Sequence, residues 1–299
     1  MKAAANLLTR LWRASTLLVR GEKEELDTQI EHRVALVLAA HGDRGGDAPN
    51  ERLFAHVAAL TERHKFASVT AGVLNGEPSL EEALQEADAS GAAEIVVYPM
   101  FMSAGYFVKT VLADRVSAAG LRTPAGIMQP LGLDNRLALL MLENALRASK
   151  TAKIDPAGAR LLIIGHGSKQ GSENANATKR AARLLSPHSP FARVETAFLE
   201  EAPLVGDALR NYDGISVVSG FLTGEGLHAG EDIPDAIKES GARALYTGPI
   251  GAHPRVSELI ASAIHTALGE GEEKVTPEPQ PKVTPKPESV EPTKAGEPA

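Results

Sequence analysis

Apolar and polar positions along the chain fall into one pattern that occurs twice. Val34-Ala-Leu-Val-Leu-Ala-Ala40 is an unbroken apolar run that ends in His41-Gly42, and Ala159-Arg-Leu-Leu-Ile-Ile-Gly165 is a second that ends in His166-Gly167. Short apolar runs without alternation, bounded by turn residues, predict strands buried on both faces. Each run leads through a polar, Gly-containing loop into helical spacing. A second strand pattern follows in each half, Ser68-Val-Thr-Ala-Gly-Val-Leu74 and Arg193-Val-Glu-Thr-Ala-Phe-Leu199. A third comes next, Glu94-Ile-Val-Val-Tyr-Pro99 and Ile215-Ser-Val-Val-Ser-Gly220, each with a Gly-rich turn and a helix behind it. Fourth strands are predicted near Gly126-Ile-Met-Gln-Pro-Leu131 and Ala244-Leu-Tyr-Thr-Gly-Pro-Ile250, and closing helices over 135–149 and 254–268. One offset of 125 residues carries His41 onto His166 and Asn75 onto Glu200.

Each half therefore reads β-α-β-α-β-α-β-α. Alternation with short connections predicts an α/β fold of two similar parallel-sheet sandwich halves, produced by internal duplication and facing across a cleft. The halves are expected over 33–150 and 151–270, with a linker near Ser149–Gly158 where Pro156 interrupts the helical pattern. Residues 1–32 stand apart as a basic N-terminal extension. Lys2, Arg10, Arg13 and Arg20 surround Leu7, Leu8, Leu11 and Trp12, with no acid in the first twenty positions. Such an amphipathic segment suits a membrane surface or a partner protein, and equally a plain surface helix. Residues 271–299 are rich in Pro, Glu and Lys and repeat Lys-Val-Thr-Pro at 274 and 282, the composition of a disordered tail.

Composition narrows the chemistry. Lys and Arg number 31 against 38 Asp and Glu, a formal charge of −7, and aromatics are 4%. Neither value suits a nucleic-acid surface. Cysteine is absent, which excludes disulfides, thiolate metal sites and a Cys nucleophile. No apolar run approaches the ~18 residues of a membrane span. A soluble, cytoplasmic protein is expected.

In α/β sheets ligands bind beyond the carboxyl ends of the strands, and three second-half residues converge there. His166 lies in Ile164-Gly-His-Gly-Ser168, Glu200 ends the second strand, and His228 sits in Gly226-Leu-His-Ala-Gly-Glu-Asp-Ile-Pro234. Two imidazoles and a carboxylate bind Co²⁺, Fe²⁺, Ni²⁺ or Zn²⁺, and the same groups accept protons near neutral pH. Other readings are weaker. Ser168 follows His-Gly but lies in no G-x-S-x-G elbow, and no phosphate-binding glycine motif follows either first strand. Glu201 adjoins Glu200, so either could simply be solvated. Glu195, Glu225, Glu231 and Asp232 read as surface or helix-start acids, and His253 as a helix-start residue before Pro254. His32, His56, His64, His188 and His265 lack a repeat context and read as bystanders.

Strand-His-Gly-Ser, the later Ala-Phe-Leu-Glu strand end and the G-x-H-x-x-x-D-I-P turn, in this order over roughly residues 33–267, resemble the sirohydrochlorin chelatases. The resemblance implies that His166 and His228 coordinate an entering metal and receive protons from the ring, and that Glu200 assists. It implies no organic cofactor. The divalent metal (Co²⁺ or Fe²⁺, with Ni²⁺ a further option) is a substrate, and the partner is a sirohydrochlorin-like tetrapyrrole. One chain supplies both halves, so a monomer could suffice, and the oligomeric state stays open. The first half departs from the pattern: it keeps His41, but Asn75 stands at the acid's position and Phe107 at that of the second His. One competent half is expected, with Tyr106 and Phe107 packing against the ring and His41 a vestige or a secondary ligand. Arg44, Lys109 and Lys169, each beside a motif, are the cations available to the ring's carboxylates, and Ser168 is a further candidate for substrate binding. The alternative is a non-catalytic carrier of metal or tetrapyrrole with chelatase ancestry.

Overall fold

A computed structural model describes residues 24–42, 50–168, 171–224 and 226–269. The basic segment 1–20, the Pro-rich tail, Arg44, Lys169 and Glu225 lie outside the described residues.

Residues 24–33 form a helix, α1, that leads directly into β1 (Val34–Ala40). The first half continues with α2 (Glu51–Arg63), β2 (Ser68–Val73), α3 (Leu80–Ala89) and β3 (Glu94–Pro99). A π-helical turn (Phe107–Leu112), α4 (Ala113–Ala118), β4 (Ala125–Ile127) and α5 (Asn135–Ala152) complete it. The second half runs β5 (Ala159–Gly165), α6 (Glu173–Leu185), β6 (Arg193–Phe198), α7 (Val205–Arg210) and β7 (Ile215–Gly220). It ends in a second π-helical turn (His228–Asp232), α8 (Ile233–Ser240), β8 (Ala244–Pro249) and α9 (Val256–Gly269). Helix starts are fixed locally. Ser79 and Glu82 form a reciprocal capping box on α3, and the Asp134 carboxylate caps α5 through the Arg136 N–H.

The two sheets are four-stranded and wholly parallel, ordered β2-β1-β3-β4 and β6-β5-β7-β8. Alternate residues of the central strands serve different layers, as the strand period of two requires. Val34, Leu36 and Leu38 of β1 and Leu161 and Ile163 of β5 enter one continuous core with residues of α2, α5, α6 and α9. Ala35, Val37 and Ala39 pack outward with α3 and α4, and Leu162 and Ile164 outward with α7 and α8. Both central strands are thus buried on both faces, which is why they carry no polar alternation.

The shared core joins the halves more closely than the repeat alone suggests. Helix α5, which closes the first repeat, packs on α6, β7 and β8, while α9 packs on α2. The seam is also polar: His56 Nε2 lies 2.8 Å from the Gly251 carbonyl oxygen, Arg255 pairs with Glu143 at 2.7 Å, and Arg63 with Glu258 at 3.0 Å. Burial, reinforced by the Arg52 and His253 charges, lowers the pKa of His56 even though the Gly251 carbonyl opposes it. Two sequence expectations change here. Helix α5 runs on to Ala152, so the linker is shorter than Ser149–Gly158. The fold also claims residues 24–33 from the extension, because the last turn of α1 inserts the buried Glu31 between α2 and α9.

In each sheet the chain leaves the first strand toward one edge and returns across it toward the other. The switch points therefore lie between β1 and β3 and between β5 and β7, at the carboxyl ends of the strands.

Candidate active site

The second-half switch point carries the three expected residues. His166 follows β5 directly, Glu200 follows β6, and His228 opens the π-helical turn that follows β7. A hydrogen bond from the Glu200 N–H to the His166 carbonyl (3.0 Å) ties two of these segments together. Gly167 makes the bend after His166 with φ +74°, and a Cβ there would lie 2.9 Å from Glu201 Cγ and 3.0 Å from Phe198 Cβ. Only glycine fits that combination of backbone and neighbours. The Gly167 N–H is held by the Asn174 side-chain oxygen at 2.9 Å. The loop is therefore fixed at both ends of the histidine.

The side chains converge. His166 Nε2 lies 3.1 Å from His228 Nε2 and 3.8 Å from Glu200 Oε1, with the two rings edge-to-face at 4.6 Å between centroids. The outer nitrogens are both occupied: His228 Nδ1 meets Asp232 Oδ2 at 2.6 Å and His166 Nδ1 meets the Gly167 carbonyl at 3.0 Å. A carboxylate and a carbonyl only accept, so each Nδ1 carries the ring proton. In the neutral rings both Nε2 atoms then present lone pairs to each other. Two facing lone pairs at this distance call for a proton or a cation between them. The side chains of His166, His228 and Glu200 are each between a third and a half exposed, open to solvent and ligand.

Asp232 stands at the start of α8 and is exposed, as expected of a surface or helix-start acid, and its carboxylate also holds His228. The signal was its i+4 spacing on one turn, but a solvated acid at a helix start has the same spacing. The adjacent glutamates separate as well. Glu200 faces His166, whereas Glu201 packs beneath Gly167 with Oε1 buried and no hydrogen-bond partner among the described residues. Glu195 belongs to a different assembly: it pairs at 2.8 Å with Arg160, which is buried in β5 and also holds Ser216 Oγ and the Ala208 carbonyl. Ser168 follows His166 in the same loop. His253 meets the Arg255 N–H through Nδ1 at the start of α9.

The first half repeats this geometry with different chemistry. His41 and Phe107 stand edge-to-face at 4.6 Å, and the Asn75 N–H bonds the His41 carbonyl at 3.0 Å. Phe107 opens the first π-helical turn as His228 opens the second, and Tyr106 stands at the position of Leu227. Tyr106, Phe107 and Leu227 are all exposed, as is Lys109 on the same turn as Phe107. A Cβ on Gly105 would lie 3.9 Å from that of Glu173 at the start of α6, so the first-half rim loop abuts the second half.

Two parallel-sheet halves with a His-His-Glu rim on one of them define a chelatase-type α/β protein. The family model described as CbiX matches residues 35–148 and again 160–267, one match per half. The chain belongs to this family, the sirohydrochlorin chelatases. A probable sirohydrochlorin cobaltochelatase of Halobacterium salinarum is 23% identical over 265 residues, covering 76% of this chain and 89% of that protein. A sirohydrochlorin cobaltochelatase of Methanosarcina barkeri is 29% identical over 126 residues, 36% of this chain and 95% of that one. Among solved structures, CbiX, the terminal enzyme of siroheme biosynthesis in denitrifying bacteria, is 29% identical with a TM-score of 0.63. It matches 78% of this chain and 98% of its own. SirB from Bacillus subtilis with Fe³⁺ shares the fold with a TM-score of 0.67 at 20% identity, over 80% of this chain and 98% of that one. Among the described residues no helix is long and apolar enough to cross a membrane.

Proposed function

We propose that this chelatase inserts Co²⁺ or Fe²⁺ into sirohydrochlorin at the second-half rim, with His166, His228 and Glu200 as the groups that handle metal and protons. The observation that supports the reading most strongly is the 3.1 Å approach of the two Nε2 atoms, with both Nδ1 atoms already engaged. Imidazole Nε2 donors with an adjacent carboxylate suit borderline divalent ions. The names of the Halobacterium and Methanosarcina relatives favour cobalt, and that of the denitrifier enzyme favours iron.

The chemistry must remove two pyrrole N–H protons as one M²⁺ enters the ring. A lone pair that lets go of the metal is the same lone pair that can take a proton. Each imidazole can therefore exchange metal for proton without moving, and Glu200, 3.8 Å from His166 Nε2, is placed to carry a proton out to solvent. Asp232 would stabilise the imidazolium formed at His228, as a carboxylate on the far nitrogen does elsewhere. The exposed Tyr106, Phe107 and Leu227 offer apolar surface to the macrocycle, and Lys109 a cation to its carboxylates. Arg44 and Lys169 fill the same role in this reading. His41, paired with a phenyl ring, supplies shape rather than metal exchange.

The test is anaerobic absorbance of sirohydrochlorin with Co²⁺ or Fe²⁺ and catalytic amounts of protein. Many turnovers, lost in His166→Ala and His228→Ala, are expected, and the relative rates choose the metal. A spectral change that saturates at one equivalent without turnover would make the protein a carrier instead.

A further inference from the structure

A second group of ligands lies at the opposite end of the molecule, built from residues that have no place in the repeat. Glu31 of α1, His64 just past the end of α2 and His265 of α9 place their ligand atoms all within 4.8 Å of one another. Among the described residues no other set of three His, Asp or Glu side chains does so. His64 Nδ1 and His265 Nε2 both meet the same carboxylate oxygen, Glu31 Oε1, at 2.7 and 2.9 Å. Glu31 is buried and both imidazoles are largely so. Burial pushes the Glu31 carboxyl upward, but the Lys65 N–H and the two imidazoles outweigh it and leave the pKa lowered. The carboxylate is thus held ionised inside the protein.

The outer atoms of this group are also fixed. The Lys65 N–H donates to Glu31 Oε2 at 2.6 Å, and Asp27 Oδ2 lies 3.6 Å from His265 Nδ1. Without an ion, His265 Nε2–H and His64 Nδ1–H donate to Glu31 Oε1. A cation would take the place of those protons, and Asp27 beside His265 Nδ1 would then hold the ring proton on the far nitrogen, the arrangement common behind metal-bound histidines. The cluster lies at the starts of the strands, because α1 leads into β1 and α2 runs back from the rim. The seven residues of β1, about 20 Å at the usual rise per residue, lie between α1 and the rim residue His41. The cluster is therefore distinct from the rim site.

We propose that Glu31, His64 and His265 form a second divalent-metal site, of the Zn²⁺, Co²⁺ or Ni²⁺ class, oriented by Asp27. Two nitrogens and one carboxylate oxygen, completed by a water as fourth ligand, are a donor set these ions take. The ligands come from α1, from the α2–β2 connection and from the last helix of the second half. A bound ion clamps the N-terminal helix across the seam between the halves. The proposal is independent of what the rim site inserts.

The experiment uses the full chain carrying His166→Ala and His228→Ala, freed of metal and titrated with CoCl₂ and ZnCl₂ alone. One equivalent of Co²⁺ is expected to bind, with visible absorption of a low-coordinate N/O site and a rise in thermal midpoint. Adding Glu31→Gln, which keeps the shape and can still accept from an imidazole, is expected to weaken binding more than about 100-fold, as loss of a direct ligand exceeds the second-shell effect. Asp27→Asn is expected to weaken it about 10- to 100-fold. His265→Ala should abolish it; if that variant fails to fold, Glu31→Gln carries the test by itself. No bound cobalt in the parent, or binding unmoved by Glu31→Gln, would overturn the proposal and leave the cluster a set of hydrogen bonds.

Discussion

The two rims of this protein share a backbone and differ in what the side chains can exchange. His41 with Phe107 and His166 with His228 stand at the same 4.6 Å ring separation, and the strand-end hydrogen bonds at Asn75 and Glu200 match at 3.0 Å. Duplication has therefore preserved the scaffold, and a few substitutions separate one rim from the other. Phe107 fills the position of an imidazole without a lone pair, and Asn75 fills that of a carboxylate without a charge. A ring pair is a packing feature in the first half. In the second half, on the function we propose, it is also the place where a metal or proton is taken up. Fold alone does not make the site.

That contrast can be broken most sharply at the paired first-strand histidines. His166→Ala should lower the insertion rate about 100- to 10,000-fold, the range for removing a positioned acid–base group. His41→Ala, its repeat mate, should leave the rate within about twofold, since no metal exchange passes through it. Equal losses in steady-state kinetics would erase the distinction between the rims.

The next effect concerns Asp232, which acts through His228. Asp232→Asn should reduce rim affinity for Co²⁺ about 10- to 100-fold, while Asp232→Glu restores part of it. A merely structural role would lower the thermal midpoint without moving the metal titration. The comparison can also be run in reverse. Phe107→His with Asn75→Glu should add one equivalent of bound Co²⁺ to the protein, read by equilibrium dialysis. An unchanged stoichiometry would mean that the first rim differs in more than these side chains.

The smallest effect lies in the seam. His56 is buried against the Gly251 carbonyl, whereas its repeat counterpart is Ala181. Its folded pKa is lowered, chiefly by burial. The unfolded chain therefore takes up a proton near the ordinary value of about 6.5 while the folded chain resists it. Stability from this residue is complete above that pH and declines as the pH falls below it. Chemical denaturation at descending pH should show this loss in the parent and a shallower one in His56→Gln. A loss on the alkaline side would give the wrong sign.

Much of the fold was legible because the central strands are buried on both faces and so lack polar alternation. Their His-Gly ends made the duplication visible. His166 and His228 could be read because each sits in a short glycine-bounded segment at a strand end. Only the 125-residue offset and the family resemblance favour Glu200 over Glu201. Residue type alone does not separate them, and the path of the chain leaving β6 turns Glu200 toward His166. The exchange of α5 and α9 across the seam left no trace in periodicity, which reports that a face is buried and not what buries it. Glu31, His64 and His265 were invisible for a related reason. Their contacts span 33 and 234 residues, with no repeat to align them.

The central claim is that one rim exchanges metal for protons because its second ring is an imidazole. His228→Phe tests it most directly, since Phe107 already occupies the equivalent place in the same fold. Anaerobic sirohydrochlorin assays with Co²⁺ and Fe²⁺ should show turnover lost while the thermal midpoint stays near that of the parent. Turnover at the parent rate in a folded His228→Phe protein would contradict the account.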